Sequence, residues 1–356
     1  MAFESGLRNM YGSSAQAAGI EFRKEASAHV VSDIKQLLMA NLWRRNWNEE
    51  TAHRIFEWRF SDLDRQETVL AYDHGRPVAM VACSQRCWIV NGKIIRIREP
   101  SDWLCLPEFR HLGLGVMLMQ RLMNEPEPLL AIGGAEQAQT VLRAFGWRQR
   151  FEARSYLLPL SSRFLTCRAA SRLGRFVKGP RWPHPQLWQR RKVSWHHLAA
   201  SERIPNFPID AAGYDIMPLI DEREIRWMQA APKEMGTFFC LVFSANSEPA
   251  GLAIGRLFPY ERLRYVRLIH VQIPFPSVAM YRRVVSESIR YAYDEGADVA
   301  QLRASCPLLQ EALRNFWPNW SVPAATYWWE KNGAVPGTRS HLTFLRGDDG
   351  VLPYPT

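Results

Sequence analysis

The sequence has no run of about 18 consecutive apolar residues, the length that a membrane-spanning helix needs. Its first residues lack the charged-then-apolar order of a signal peptide. Its six cysteines are scattered, and only Cys83 and Cys87 lie near each other, without the second pair that a structural zinc site requires. These absences predict a cytoplasmic protein with reduced thiols and no metal.

Two common phosphate-binding motifs are missing as well. No Gly-Lys-Ser/Thr follows Gly115, which excludes a Walker loop, and no G-x-G-x-x-G fingerprint for a dinucleotide occurs. Instead, a short apolar strand ends at Pro107, the loop Arg110-x-x-Gly113-x-Gly115 follows, and an apolar helix begins at Val116. Glycines let the backbone approach a bulky group, and a helix start offers free N–H groups and a positive dipole end. The segment predicts an anion cradle for a diphosphate, built from Arg110, His111, Leu112, Gly113, Leu114, Gly115 and Val116.

This loop resembles the acyl-CoA loop of the GNAT superfamily of N-acyltransferases, Arg/Gln-x-x-Gly-x-Gly/Ala after a strand that ends near Pro. The flanking sequence agrees with the resemblance. Residues 68–72 and 77–82 read as strands joined by the turn Asp73-His-Gly-Arg76, residues 129–132 read as a strand, and a helical stretch runs to Phe145-Gly146-Trp147. The resemblance implies an acyl-CoA-dependent enzyme with a mixed, mostly antiparallel sheet flanked by helices.

An internal repeat indicates that this unit occurs twice. Gln139-Thr-Val-Leu-Arg-Ala-Phe145 matches Gln310-Glu-Ala-Leu-Arg-Asn-Phe316, and Arg76-Pro-Val-Ala-Met80 resembles Glu248-Pro-Ala-Gly-Leu252 at nearly the same offset. The 356 residues also suit two domains. We therefore expect an α/β chain of two tandem GNAT-like domains, divided into a flexible tail (1–25), an acyl-CoA-binding domain (26–160), a basic linker (161–205), a degenerate domain (206–347) and a C-terminal tail (348–356).

The second copy departs from the first at the loop. After the strand 266–273 comes Pro274-Phe-Pro-Ser-Val-Ala-Met280, without any Arg-x-x-Gly-x-Gly. Because Pro274 and Pro276 have no N–H groups, this turn offers fewer donors to a phosphate. We expect one acyl-CoA per chain, bound by the first copy, and a second copy that supports the first or shapes the acceptor pocket.

The resemblance implies transfer by direct attack of an amine on the thioester, with acetyl as the expected acyl group. The main chain of Leu104 and Leu106 would hold the pantetheine arm. Asp102 is the candidate general base, with Glu99 and Glu136 as weaker candidates; Asp102 could equally cap the end of its strand. Leu142 stands where many family members have a tyrosine that protonates the leaving thiolate, which puts catalysis, and not the fold, in question.

The positive charge is concentrated between the two copies. Residues 161–200 contain nine Lys or Arg and no acid, in a chain of net charge +10. Three interpretations remain open: a solvated bridge, a surface for an anionic membrane or acceptor, and, least favoured, nucleic-acid binding. The last lacks any supporting DNA-binding motif.

The acceptor is expected near the first helices, where three tryptophans are interleaved with arginines (Trp43, Trp47, Trp58, Arg44, Arg45, Arg59). Such residues suit an amino sugar or a cell-surface polysaccharide precursor, although buried core is also a common fate for tryptophan. Two other functions stay open. One is a FemABX-like aminoacyl transferase, against which the intact loop argues, and the other is a non-catalytic CoA-binding or scaffold protein.

Overall fold

The computed structural model of the chain describes residues 19–41, 48–61, 66–132, 136–172, 194–198, 214–245, 248–260, 262–316, 319–331, 337 and 339–343. The chain builds two mixed sheets flanked by helices, which confirms the predicted fold class. Among the described residues, no helix is both long and apolar enough to cross a bilayer.

The first sheet comes mainly from the first half of the chain. Its strands are β1 (Ile20–Ala26), β2 (Gln66–Asp73), β3 (Arg76–Val90), β4 (Lys93–Cys105), β5 (Leu129–Ile132) and β6 (Arg148–Gln149), with helices α1 (Val31–Asn41), α2 (Glu49–Ser61), α3 (Leu114–Met123) and α4 (Glu136–Ala144). Strands β1 to β4 form an antiparallel meander, and β5 then pairs parallel to β4 after the crossover through α3. The predicted hairpin turn is present, with positive φ at His74 and Gly75.

The second sheet repeats this order. Its antiparallel strands β10 (Thr237–Ala245), β11 (Glu248–Tyr260) and β12 (Leu263–Gln272) precede helix α7 (Val278–Asp294), strand β13 (Val299–Ala304), helix α8 (Pro307–Arg314) and strand β14 (Trp320–Ala324). Strand β13 is parallel to β12, as β5 is to β4. The remaining elements are β7 (Ala153–Pro159), α5 (Ser162–Arg172), β8 (Ser194–His197), β9 (Ile216–Pro218), α6 (Glu222–Gln229) and β15 (Thr326–Trp329).

Each sheet contains at least one strand from the other part of the chain. Strand β15, from the end of the chain, lies between β5 and β6 in the first sheet. Strand β7, from the first half, lies in the corresponding place of the second sheet, between β13 and β14. The boundaries 26–160 and 206–347 stay a prediction, but each range contains a strand that belongs to the other sheet.

The N-terminal boundary differs in another respect. Residues 20–26 form β1, which pairs with β2 along its whole length, although the sequence analysis assigned 1–25 to a tail. Backbone hydrogen bonds and the burial of Ile20 hold this segment in the sheet. Of the basic segment, residues 162–172 form α5, whereas residues 173–193 and 199–213 lie outside the described part.

One apolar core spans the contact between the two halves. The indole rings of Trp58 on α2 and Trp227 on α6 stack with centroids 4.5 Å apart. Each indole N–H donates to the other residue's carbonyl, at 2.9 and 3.1 Å. Buried indoles need such partners, so this pair fixes α2 against α6 through both packing and hydrogen bonds.

Candidate active site

The site lies where β4 diverges from β5 and shifts its register with β3. Only Arg98 and Leu129 pair between β4 and β5, so the two strands diverge beyond that point. On the other edge, the register with β3 shifts between Met80 and Ala82, and Asp102 sits at the shift with a φ of 47°. This geometry is a β-bulge, which bends β4 and re-aims the groups that follow it.

The predicted loop follows β4 directly. A 3₁₀ helix, Pro107–Leu112, ends at Gly113, whose φ of 67° lies in the left-handed region that favours glycine. Helix α3 begins at Leu114 without a side-chain cap at its N-terminus. The N–H groups of its first turn therefore have no intrahelical acceptor and can bind an anion.

Gly115 is required for a different reason. The indole N–H of Trp103 donates to the Gly115 carbonyl at 3.0 Å. A Cβ on Gly115 would lie 3.2 Å from that same indole nitrogen. Glycine thus lets Trp103 on β4 lie against the first turn of α3, which closes one end of the gap between strand and helix.

A cavity of about 470 Å³ opens beside these groups. Its walls are the end of β4, the loop, the start of α3, and the α4 face that carries Ala138 and Val141. The lining residues are Trp103, Leu104, Cys105, Arg110, Gly113, Gly115, Val116, Gln137, Ala138 and Val141. The cavity is thus bounded by the predicted anion loop and by the strand that was expected to hold a pantetheine arm.

The remaining loop residues divide between solvent and core. Arg110 is exposed, and its Nε donates to the Cys105 carbonyl at 3.3 Å, so it braces the end of β4. His111 is exposed and Leu112 half-buried, whereas Leu114 is fully buried and anchors the helix start. The guanidinium can brace the loop and still face an anion on its open side.

The main-chain groups of Leu104 and Leu106 face β3 and not the cavity. The Leu106 N–H donates to the Val78 carbonyl at 2.9 Å, and Leu104 pairs with Met80 in the same ladder. Because alternate residues of a strand direct their N–H and C=O groups to opposite edges, those of Trp103 and Cys105 point away from β3. Sequence spacing alone could not show which alternate set faces the gap.

Asp102 lies in a buried ion pair. Its Oδ2 accepts from Nη2 of Arg59 on α2 at 2.5 Å, and both side chains are only 3% exposed. The Nη1 atom of Arg59 has no hydrogen-bond partner among the described residues. The pair joins the bulge of β4 to a helix 43 positions earlier in the chain, and no sequence signal connects the two residues.

The other carboxylate candidates lie elsewhere. Glu99 is buried, accepts from the Trp88 indole at 3.1 Å and lies 3.6 Å from Nε of Arg86. Arg86 in turn donates to Glu224 on α6 at 2.6 Å, which makes a second buried ionic link between the halves. Glu136 is exposed in the first turn of α4, the position where a carboxylate favours the helix dipole.

Neither Cys105, the thiol on β4, nor Leu142, at the position where many family members have a tyrosine, offers an alternative chemistry. Burial raises the pKa of the Cys105 thiol to about 11, so it stays protonated near neutral pH and is a poor nucleophile. Leu142 is 4% exposed and apolar. Of the tryptophans proposed for the acceptor, Trp58 is buried in its stack, whereas Trp43 and Trp47, with Arg44 and Arg45, lie outside the described residues.

Comparisons with known proteins agree with this geometry. Residues 35–127, from α1 to just before β5, match the model of the acetyltransferase (GNAT) family. A comparison with curated proteins finds no match.

Solved structures of acyltransferases have a similar fold. Yeast (Saccharomyces cerevisiae) N-myristoyltransferase with bound myristoyl-CoA aligns with a TM-score of 0.57 and 12% identity, over 87% of this chain and 82% of that one. A GCN5-related N-acetyltransferase from Anabaena variabilis aligns with a TM-score of 0.55 and 11% identity, over 86% and 72%. A probable N-acyltransferase from Enterococcus faecalis gives 0.57 and 10%, over 86% and 72%.

Residues 35–127 are thus similar to a GNAT acetyltransferase domain, and the chain has the fold of solved N-acyltransferases. The matched range lies in the first half of the chain and contains the loop at Gly113.

Proposed function

We propose that the chain transfers an acetyl group from acetyl-CoA to an amine through the cavity beside β4, α3 and α4. The observation that carries this is the combination of an uncapped helix start at Gly113, a gap between β4 and β5, and a cavity that joins them. The diphosphate would lie on the N–H groups of the first turn of α3, with Arg110 adding charge. The pantetheine arm would run along the open edge of β4, bonded to the main chain of Trp103 and Cys105.

The chemical step would be direct attack of a neutral amine on the thioester carbon. The nitrogen–carbon bond forms as the carbon–sulfur bond breaks, the ammonium proton goes to a base, and the thiolate takes a proton from solvent or the acceptor. Positioning beside the bulge supplies most of the catalysis. Asp102, in its ion pair with Arg59, remains the proposed base and first contact for the amine. Glu99 would act only through its link to Arg86.

For the acceptor, we propose an amine-bearing sugar or polysaccharide precursor. Support comes from Arg59, whose buried Nη1 has hydrogen-bonding capacity left beside Asp102. The basic segment 161–200 would hold an anionic part of such an acceptor or an anionic membrane surface. Leu165 on α5 is 43% exposed, as an apolar contact with lipid would require. Cosedimentation with anionic and neutral vesicles at low salt separates the membrane from the soluble acceptor.

The test of the cofactor site is Gly113→Glu, with acetyl-CoA affinity measured by calorimetry. A carboxylate at this position repels the diphosphate, and the added Cβ is strained at positive φ. Affinity should fall by a factor of ~100 or more, of the order expected for an uncompensated charge in an anion site. Gly92→Glu is the matched control, because Gly92 also has positive φ (75°) and lies in the turn between β3 and β4, outside the residues that line the cavity. Equal affinities for the two variants would refute the site.

A second candidate, binding of CoA without transfer, is favoured by Leu142, which provides no acid for the thiolate. The two candidates differ in turnover. Release of free thiol with a panel of amino sugars indicates transfer. Tight acetyl-CoA binding without thiol release from any amine indicates a binding protein.

A further inference from the structure

The second copy contains the same cleft walls as the first. Strands β12 and β13 pair in parallel from Tyr265 and Val299 to Leu268 and Leu302, and beyond that no pairing joins them. Helix α7 starts beyond the end of β12 and α8 beyond the end of β13, as α3 and α4 do in the first copy. In the first copy, the space between these elements is the cavity described above.

In the second copy, this space contains the chain's own residues 340–343. On the β12 side, Nε2 of His341 donates to the Val271 carbonyl at 2.7 Å. On the β13 side, the Leu342 N–H donates to the hydroxyl of Ser305 at 2.7 Å, and the Ser305 N–H donates to the Leu342 carbonyl at 3.1 Å. A single short segment thus bonds to both diverging strand ends.

The helix wall contacts the same segment. The hydroxyl of Tyr281, in the first turn of α7, lies 3.4 Å from Nδ1 of His341 and 2.7 Å from the hydroxyl of Tyr214. Because Nε2 of His341 donates to a carbonyl, its Nδ1 is the acceptor in this tautomer. Tyr281 and His341 are each 1% exposed and Leu342 is fully buried, so the segment is packed as core.

The segment is also anchored outside the cleft. Arg339 pairs with Asp215 at 2.9 Å, and the His341 N–H donates to the Ile216 carbonyl at 2.9 Å. Ile216 belongs to β9, which pairs with β3 of the first sheet. The occupant of the second cleft is therefore tied to the first sheet by main-chain bonds.

We propose that residues 340–343 are a built-in occupant of the second cleft, in the place that a pantetheine arm takes in an active copy. At the end of β13 they present the same kinds of groups, amide N–H and C=O, that an amide-bearing arm would use, and at the end of β12 the contact is made by the imidazole of His341. The second copy is thereby closed to acyl-CoA and serves as a structural partner of the first. This inference concerns the second copy alone and holds whatever the first cleft transfers.

Hydrogen–deuterium exchange of the intact protein, with and without millimolar acetyl-CoA, tests the occupancy. Amides of residues 341, 342 and 305 should be protected in both states, while exchange in 103–117 slows when the ligand binds. Faster exchange in 340–343 on adding acetyl-CoA would mean displacement and would overturn the proposal, as would unprotected amides without ligand. If acetyl-CoA leaves the exchange of 103–117 unchanged while 340–343 stay protected, the result counts against the proposed function. The proposal for the second cleft then still stands.

Cys306 provides a second readout, because its thiol is 1% exposed and lies 3.5 Å from the Tyr214 hydroxyl beside the segment. His341→Ala should raise the rate of Cys306 alkylation by iodoacetamide at least ~10-fold, through local opening. Cys83 and Cys240, which are buried elsewhere, should stay protected and so report that the fold is intact. The control His196→Ala, on the exposed strand β8, should leave the rate of Cys306 alkylation unchanged. Equal Cys306 rates in both variants would contradict the proposal.

Discussion

At the scale of single residues, the two loop glycines do different work. Gly113 provides a left-handed backbone position, whereas the sequence pattern predicted only that a glycine here lets the backbone approach a bulky group. Gly115 provides room for the indole of Trp103, which lies 12 positions earlier on β4. Contacts of the second kind depend on how a strand and a helix pack, so no local pattern could have predicted Trp103 as a site residue.

Gly115→Ala should therefore separate binding from stability. Alanine favours the helix by ~0.5–1 kcal/mol relative to glycine, so the free energy of unfolding should not fall. The new Cβ, 3.2 Å from Nε1 of Trp103, pushes the indole towards the cavity, and acetyl-CoA affinity should fall by a factor of ~10. Trp103→Phe removes that nitrogen, so Gly115→Ala should cost less acetyl-CoA affinity in the Trp103→Phe background. The affinity of the double variant should therefore be higher than the two single losses, multiplied together, would give. Additive effects in calorimetry would contradict this account.

The buried histidines of the second copy predict an acid-sensitive fold. Burial lowers the pKa of His341 from 6.5 to about 4. Burial, with His341 and Arg86 as neighbours, lowers that of His270 from 6.5 to about 3. The unfolded chain therefore binds protons below about pH 6.5 that the folded chain does not accept until about pH 4. The free energy of unfolding should keep its full value above pH 6.5 and decrease as the pH falls towards 4.

Urea unfolding between pH 7 and 4.5 checks this prediction. His341→Gln should make the free energy of unfolding depend less steeply on pH, because it removes one of the two histidines responsible. His196→Gln, on the exposed strand β8, should leave that pH dependence unchanged. The other polar groups around His341 are Tyr214, Tyr281 and Cys306. Burial raises the pKa values of both tyrosines, so Tyr214 and Tyr281 stay uncharged across this range. An unchanged slope in His341→Gln would assign the acid sensitivity to other groups.

At the scale of secondary structure elements, the local order of strands and helices was predictable from periodicity. The hairpin β2–β3, the strand β5 and helix α4 occur where apolar spacing and turn residues placed them. The bulge in β4 was not predictable, because its residue Asp102 makes its ion pair with a distant residue, Arg59 of α2. A pair separated by 43 positions leaves no periodic signal.

That pair predicts a particular pattern of variant stabilities. Asp102→Asn keeps a residue that tolerates positive φ but leaves Arg59 buried without its counter-charge, at a cost of ~3–5 kcal/mol. Arg59→Met removes the guanidinium that pairs with the buried carboxylate and should cost a similar amount. The double variant should regain part of this loss, because no charge is then stranded. A double-mutant cycle from urea unfolding measures the coupling, expected at ~1–3 kcal/mol.

Turnover in the same variants distinguishes the two roles of Asp102. If the carboxylate only holds the bulge, the double variant should recover turnover together with stability. If it also contacts the amine, stability recovers and turnover does not. A coupling energy near zero would show that the ion pair does not hold the bulge at all.

At the scale of the whole molecule, the tandem repeat predicted two similar sheets but not the exchange of β7 and β15. Two copies with the same strand order can pair either way, because the place between β5 and β6 accepts a strand from either copy. The choice depends on the connections and on contacts such as Trp58 with Trp227 between the halves. A division of the chain into independent domains at 160 and 206 would therefore cut through both sheets.

The exchange predicts that neither half folds alone. Residues 1–205 lack β15, which leaves the edges of β5 and β6 open and β7 without β13 and β14; residues 206–356 have the converse defects. Unpaired edges template aggregation, so each half expressed alone should be insoluble or unfolded. Co-expressed halves should purify as a 1:1 complex that binds acetyl-CoA like the intact chain. The control is the intact chain cut at a protease site inserted after residue 205, which should remain associated. A monomeric 1–205 fragment that unfolds cooperatively and binds acetyl-CoA would show instead that the first copy is a self-sufficient domain.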